Sequence, residues 1–210
     1  MSDQNIESQC KCINMVTFME RFDKIDDKYI AKDVLSKVRH DIKPSQSTWA
    51  RDIFLAIGNL DVFIKQSFDE SISNFEKLHA EYRDFYGDII TNEILDFLKS
   101  NPGILAGVRE ENELHFTAFP AQVHEYLNII DPKMKRYYAC HCPFAKESIL
   151  AEKFVSSTFC YCCLGNIKYF WEAVFDRKLY GEVLTFALKG DEKCTFVVYI
   201  PDDIMDYYVC

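Results

Sequence analysis

The apolar residues of this chain keep helical spacing through most of the first hundred positions and lose it after Asn101-Pro102-Gly103. That switch constrains the fold more than any other feature. Trp49, Ile53, Ile57, Leu60 and Ile64 recur at three- and four-residue intervals, which places one apolar stripe on one helix face. Phe68, Ile72, Phe75, His79, Tyr82 and Tyr86 continue the spacing in a second long helix that Gly87 is placed to end. Ile90, Ile94, Phe97 and Leu98 form a third stripe, and the Asn-Pro-Gly run is a strong stop. Shorter helices are expected over residues 15–22 and 29–38, after a polar leader and before a turn at Pro44 and Ser45. His40 and His79 have no Cys or carboxylate at a recognised ligand spacing, so packing or surface roles are expected of them.

Beyond residue 103 the pattern reads as mixed. Strands are expected over 114–119, ended by Pro120, and over 136–142, with a helix over 123–130 between them. Pro143 suits the first turn of a helix reaching 153. Residues 159–163 read as extended or a tight loop, and Leu164, Ile167, Trp171 and Val174 share one face of a short helix. Strands over 179–188 and 194–200 are joined by Lys189-Gly190-Asp191-Glu192-Lys193, which has hairpin-turn composition. The fold class expected is α+β: a helical N-terminal half (1–102) packed on a C-terminal domain (103–210) with an antiparallel sheet and two or more helices.

Charge narrows the partners. With 33 acidic side chains against 24 basic ones the net charge is -9, so direct nucleic acid binding or attraction to an anionic membrane is not expected. No apolar run approaches the roughly 18 residues of a membrane span, and the first residues lack a signal-peptide pattern. The expected location is therefore cytoplasmic. Phe and Tyr are abundant, at 17 and 12 copies, enough for bulky core packing and for an aromatic-lined pocket.

Of the nine cysteines, none lies between Cys12 and Cys140, and then six fall within residues 140–194. In a reducing compartment such residues are free thiols, metal ligands or reactive groups. Cys10 and Cys12 sit near the beginning, where no defined role is expected of them. Side chains two apart on an extended segment point the same way. Cys140 with Cys142, and Cys160 with Cys162, can thus each offer a two-thiol edge, and thiolates with imidazole suit zinc or another transition metal. The spacing is not that of a zinc finger. Two alternatives stand beside the metal: a nucleophilic Cys142 with His141 or His115 as base and Glu147 orienting it, and inert buried thiols.

The runs Lys135 through Lys146 (K-R-Y-Y-A-C-H-C-P-F-A-K), Phe159 through Lys168 (F-C-Y-C-C-L-G-N-I-K) and Leu188 through Phe196 (L-K-G-D-E-K-C-T-F) resemble the signature of an uncharacterised, Firmicutes-type bacterial family rich in cysteine. More distantly, Gly165 through Phe196 resembles the end of the 4-vinyl-reductase-like small-molecule-binding domain, whose Gly-Asp-x-x-Cys turn contributes a zinc thiolate. Cys194 matches that turn cysteine. The family's other ligand positions fall on Phe186 and Val183, so the remaining ligands are expected from Cys140, His141, Cys142, Cys160 and Cys162. The function this implies is small-molecule binding, of an apolar or aromatic ligand beside a structural metal, in a sensory or accessory role. Phe116, Tyr138, Trp171 and Phe186 are the expected pocket aromatics and Arg109 a contact for an anionic ligand. A thiol- or metal-dependent hydrolase and a structural oligomerisation protein are the alternatives. A homodimer is a further expectation, and no nucleotide cofactor is indicated.

Overall fold

Gly58 and Asn59 divide the first long stripe into two helices. Gly58 takes a φ of +67°, and the Asn59 carboxamide oxygen accepts the Val62 N–H at 3.0 Å, capping the second of them. In the computed structural model, which describes residues 21, 24, 28–38, 48–151 and 156–209, α1 spans Lys28–Leu35, α2 Thr48–Ile57 and α3 Leu60–Ala80. The stripe from Phe68 therefore belongs to α3 and does not start a helix of its own. It ends before Gly87, because Tyr82 and Tyr86 adopt left-handed backbone and a small ribbon of β1 (Asp84–Phe85) and β2 (Asp88–Ile89) intervenes. α4 (Asn92–Lys99) is capped by Thr91 and stops before a 3-10 turn at Pro102–Ile104. The expected helix over 15–22, apart from the helical Arg21, the turn at Pro44 and Ser45, and Cys10, Cys12, His40 and Cys210 lie outside the described residues.

The sheet is antiparallel in the order β3 (Val108–Glu110), β4 (Glu113–Thr117), β6 (Thr195–Tyr199), β5 (Gly181–Thr185). Leu114 pairs with Val198 and Phe116 with Phe196 across its centre. Between β4 and β5 the chain makes α5 (Val123–Asn128), α6 (Pro132–Ala139), α7 (Pro143–Ala151), a 3-10 turn (Ser157–Cys160) and α8 (Tyr161–Phe175). α9 (Asp202–Tyr208) comes after β6. The molecule is thus α+β, with N-terminal helices packed on a region that holds an antiparallel sheet and several helices.

Two expected segments change type. Residues 136–142 read as a strand, yet Asp131 caps a helix by accepting the Met134 N–H at 2.7 Å, and Pro132 occupies its first position. The caps outweigh the aromatic run. Residues 159–163 read as extended, yet the Ser156 hydroxyl accepts the Thr158 N–H and starts a 3-10 turn that leads straight into α8.

One core gathers Phe54, Leu60 and Phe63 from α2 and α3 with Leu114, Leu164, Phe175, Phe196 and Val198 from beyond residue 103. A second joins Ile72, Phe75, Ile94 and Leu98 to Val123. The aromatic content is largely spent here: Phe54 meets Phe63, Phe175 and Tyr208 with ring centroids 4.7 to 5.6 Å apart.

α1 is held over α8 at close quarters. A Cβ on Gly165 would lie 2.6 Å from the Val38 carbonyl oxygen and 2.9 Å from that of Ser36, so only glycine admits this approach. One turn on, the buried Lys168 ammonium donates to the Ser36 hydroxyl at 3.4 Å and stands 3.6 Å from the Glu172 carboxylate. At the other end of the sheet, the turn between β5 and β6 is latched to α5 and α6. Glu192 accepts from the Tyr126 hydroxyl at 3.0 Å and pairs with Lys135 at 3.1 Å, while Asp191 accepts the Phe186 N–H at 2.7 Å.

Candidate functional site

Six described cysteines are free thiols, and five of them form one neighbourhood. Cys140 ends α6 in extended backbone, Cys142 immediately precedes α7, Cys160 is the residue before α8, Cys163 lies in its first turn, and Cys194 precedes β6. They are near enough that Cys163 raises the pKa of each of the other four, and Cys194 that of Cys140, Cys142 and Cys160.

Backbone N–H groups point at three of the sulfurs. Cys142 N–H donates to Cys140, the Phe144 and Ala145 N–H groups donate to Cys142, and the Ala187 N–H donates to Cys194 at 3.4 Å. These contacts favour thiolate. Burial opposes them and wins, pushing Cys194 up to about 11, Cys142 up, and Cys140 and Cys160 far above the ordinary thiol range. Cys163 is raised as well, first by its contact with the Cys162 thiol and then by burial.

The zinc or other transition-metal site expected at Cys140, His141, Cys142, Cys160, Cys162 and Cys194 is corrected by this arrangement. Among the described residues, no group of three or more His, Cys, Asp or Glu side chains could hold a metal ion. Two physical reasons accompany the finding. The segment after Phe159 is helical, where side chains two apart diverge and those three apart share a face, so Cys163 and not Cys162 joins Cys160. His141 donates through Nε2 to the Phe119 carbonyl at 2.8 Å and packs edge-on to the Tyr86 ring, away from the sulfurs. The ligand set implied by the 4-vinyl-reductase-like resemblance therefore does not fit the residues present.

The same contacts place the other candidates. Cys142 faces the start of α7 while His141 faces Phe119, so the two adjacent side chains point to different partners, and Glu147 lies within α7. His115 bonds Glu113 at 2.9 Å. Arg109 is committed to Asp61 through two contacts of 2.6 Å and to the Glu111 carbonyl, clamping β3 to the start of α3. Phe116 and Trp171 border one cavity of about 360 Å³ and Phe186 borders another. Tyr138 packs edge-on to Tyr137, and its carbonyl accepts the Gln122 N–H.

Between α1, the start of α8 and β5 lies a cavity of about 530 Å³. Among the described residues Lys32, Lys189 and Glu182 border it with Ser156, Ser157 and Thr158, the Ser156 and Thr158 hydroxyls bonded to each other at 3.1 Å. Tyr161 and Phe186 supply flat walls: the Lys32 ammonium sits 5.1 Å from the Tyr161 ring centre and that of Lys189 4.6 Å from the Phe186 ring centre. The Tyr161 hydroxyl, and beyond it Glu182, raise the pKa of Lys32, fixing its charge. The cavity and the thiols share their supports. Tyr161 comes directly after Cys160 in sequence, and Phe186 precedes the Ala187 whose N–H meets Cys194. Sequence reading passed over Lys32, Glu182 and Lys189 because they come from three separated segments with no motif. The signal for Cys163 was present in its three-residue spacing from Cys160, given a helix there.

The fold and site define an α+β protein with a polar cavity and, separately, a set of free thiols. No family model, curated protein or solved structure matches the chain. No described helix is long and apolar enough to cross a membrane.

Proposed function

We propose that the protein binds a small hydroxylated monocarboxylate in the cavity between α1, α8 and β5, in the cytoplasm and without a metal. The observation that carries this reading is the local reversal of charge. On a chain of net charge -9, this cavity is bordered, among the described residues, by two lysines and one glutamate. An excess of one positive charge matches a ligand bearing one carboxylate. The three hydroxyl-bearing residues, Ser156, Ser157 and Thr158, match a ligand with hydroxyls of its own. The volume falls in the range of roughly 300 to 1,000 Å³ typical of ligand sites. Six thiols carried without a disulfide fit a reducing compartment. This reading replaces the apolar or aromatic ligand beside a structural metal.

Titration calorimetry with gluconate, glucose and glucosamine, three molecules of similar size that differ in charge, tests it. Gluconate should bind, glucose weakly and glucosamine not at all. Lys32→Gln and Lys189→Gln should each weaken gluconate about 10-fold or more, the worth of one hydrogen bond to a charged group, and Glu182→Gln should tighten it. Binding without charge preference, or no gluconate binding, would refute the proposal.

A further inference from the structure

The cavity of about 360 Å³ is bordered by faces of two helices of opposite chemistry. On α3, Ser67, Glu70, Ser71 and Asn74 fall at three- and four-residue spacing, so they share one face and give it a polar strip. On α8, Ile167, Phe170 and Trp171 share a face in the same way, and that strip is apolar and largely aromatic. Phe116 of β4 and Trp49 from the first turn of α2 bring the bordering aromatics to four. Both tryptophans of the chain are among them. The rings do not form one stack. Phe170 stands at 88° to Trp171 with centroids 5.6 Å apart, and Phe116 at 53° with centroids 6.1 Å apart. Trp171 also packs on Phe63 and Phe175, at 5.9 and 5.3 Å, so its ring is fixed before any ligand arrives.

Among the described residues bordering this cavity, Glu70 alone carries a charge. It is exposed and accepts from the neutral Gln66 carboxamide at 2.9 Å, with no ion pair to a described cation. We propose that the cavity binds a small quaternary ammonium compound of the choline class, its charge held between the aromatic rings and the Glu70 carboxylate. Aromatic faces attract a cation through their quadrupole, and tryptophan does so best. A quaternary ammonium has no N–H to satisfy and meets such walls through its methyl groups. A primary ammonium is compact and strongly hydrated, and gives up more on leaving water. A neutral apolar ligand would leave the carboxylate unused. This site is separate from the cavity between α1, α8 and β5: no described residue borders both, and the two take ligands of opposite charge.

Titration of the full chain with choline chloride, followed by tryptophan fluorescence, tests the proposal, with sodium chloride at matched ionic strength as the control. Choline should change the emission saturably. Dimethylbutanol, its neutral isostere with carbon in place of nitrogen, should bind about 5-fold more weakly, and ethanolamine should also bind more weakly than choline. Glu70→Gln, at an exposed position, should weaken choline about 2- to 5-fold and leave the isostere unchanged, a split that a merely structural role would not produce. Trp49→Leu should weaken choline by a similar factor, and Trp49→Phe, which keeps a ring, should restore much of the binding. Trp49 is 55% exposed, so neither change disturbs the core. No saturable response to choline, an isostere or ethanolamine that binds as tightly as choline, or unaltered choline binding by the Glu70→Gln variant would overturn the proposal.

Discussion

The Lys168–Glu172 pair tests how α1 is held over α8. The two side chains are 6% and 15% exposed, with the ammonium 3.6 Å from the carboxylate and 3.4 Å from the Ser36 hydroxyl. Lys168→Met keeps much of the aliphatic stem and deletes the charge, leaving Glu172 ionised beside it. Removing one partner of a buried ion pair costs about 3–5 kcal/mol, because the survivor is left uncompensated. Glu172 also accepts the Leu179 N–H at 3.2 Å, a contact the substitution leaves in place, so the lower end, about 3 kcal/mol, is expected. Adding Glu172→Gln removes the stranded charge and keeps an oxygen for Leu179. The double variant should therefore recover to within about 1 kcal/mol of the parent. Urea unfolding monitored by the fluorescence of Trp171, which is 3% exposed, reads both changes. With a denaturant slope of about 2 kcal/mol per molar, the single variant's midpoint should fall by about 1.5 M. Two substitutions whose effects simply add, or a single variant within about 1 kcal/mol of the parent, would refute the reasoning.

The same packing bears on two further outcomes. Gly165→Ala would gain up to about 1 kcal/mol in an isolated helix, but its Cβ meets two backbone carbonyls of the α1 terminus. A net loss of about 1–3 kcal/mol is expected in urea unfolding, and a gain would show that α1 does not seat there. Alkaline pH should destabilise the fold through the thiols. Their pKa values are raised in the folded chain, so the stability they contribute is complete below the unfolded thiol value and is lost as pH climbs toward the folded one. For Cys194, whose value rises from near 9 to about 11, the loss by pH 11 is about 2–3 kcal/mol, and the more deeply shifted Cys140 and Cys160 add to it. Urea midpoints measured from pH 8 to 10.5 should fall steadily beginning near pH 9; a flat profile would mean the thiols are solvated.

The change of architecture after Asn101-Pro102-Gly103 was legible because it rests on local chemistry: helical periodicity, a proline-glycine stop, and strands bounded by turn residues. Cys140, Cys142 and Cys160 were singled out by their density and two-residue spacing, together with Cys162, and Cys194 only by resemblance. What escaped was whatever a cap decides. Asp131 and Pro132 turned an aromatic run into helix, and the Ser156 hydroxyl did the same for the segment at Cys160, exchanging Cys162 for Cys163. The metal expectation failed for a related reason. Residue type counted thiols, but helix phase and the turn of His141 toward Phe119 decide which of them face one another. The lysines of the polar cavity were out of reach, since only tertiary packing brings residues 32, 182 and 189 together.

The central position of β6 also governs how the chain can be made. β6 lies between β4 and β5, yet both precede it in sequence. Throughout synthesis, until residues 195–199 emerge, β4 has a partner on one side only and β5 has none among the sheet strands. Rows of backbone donors and acceptors stay open on both, the arrangement that invites pairing with another chain. α2 and α3 wait as well, since the core they enter needs Phe196 and Val198. At about 5–20 residues per second, most of the nascent protein spends seconds as helices and strands that lack their keystone. Its hazards during production therefore lie in the time before Thr195 leaves the ribosome, more than in the finished fold.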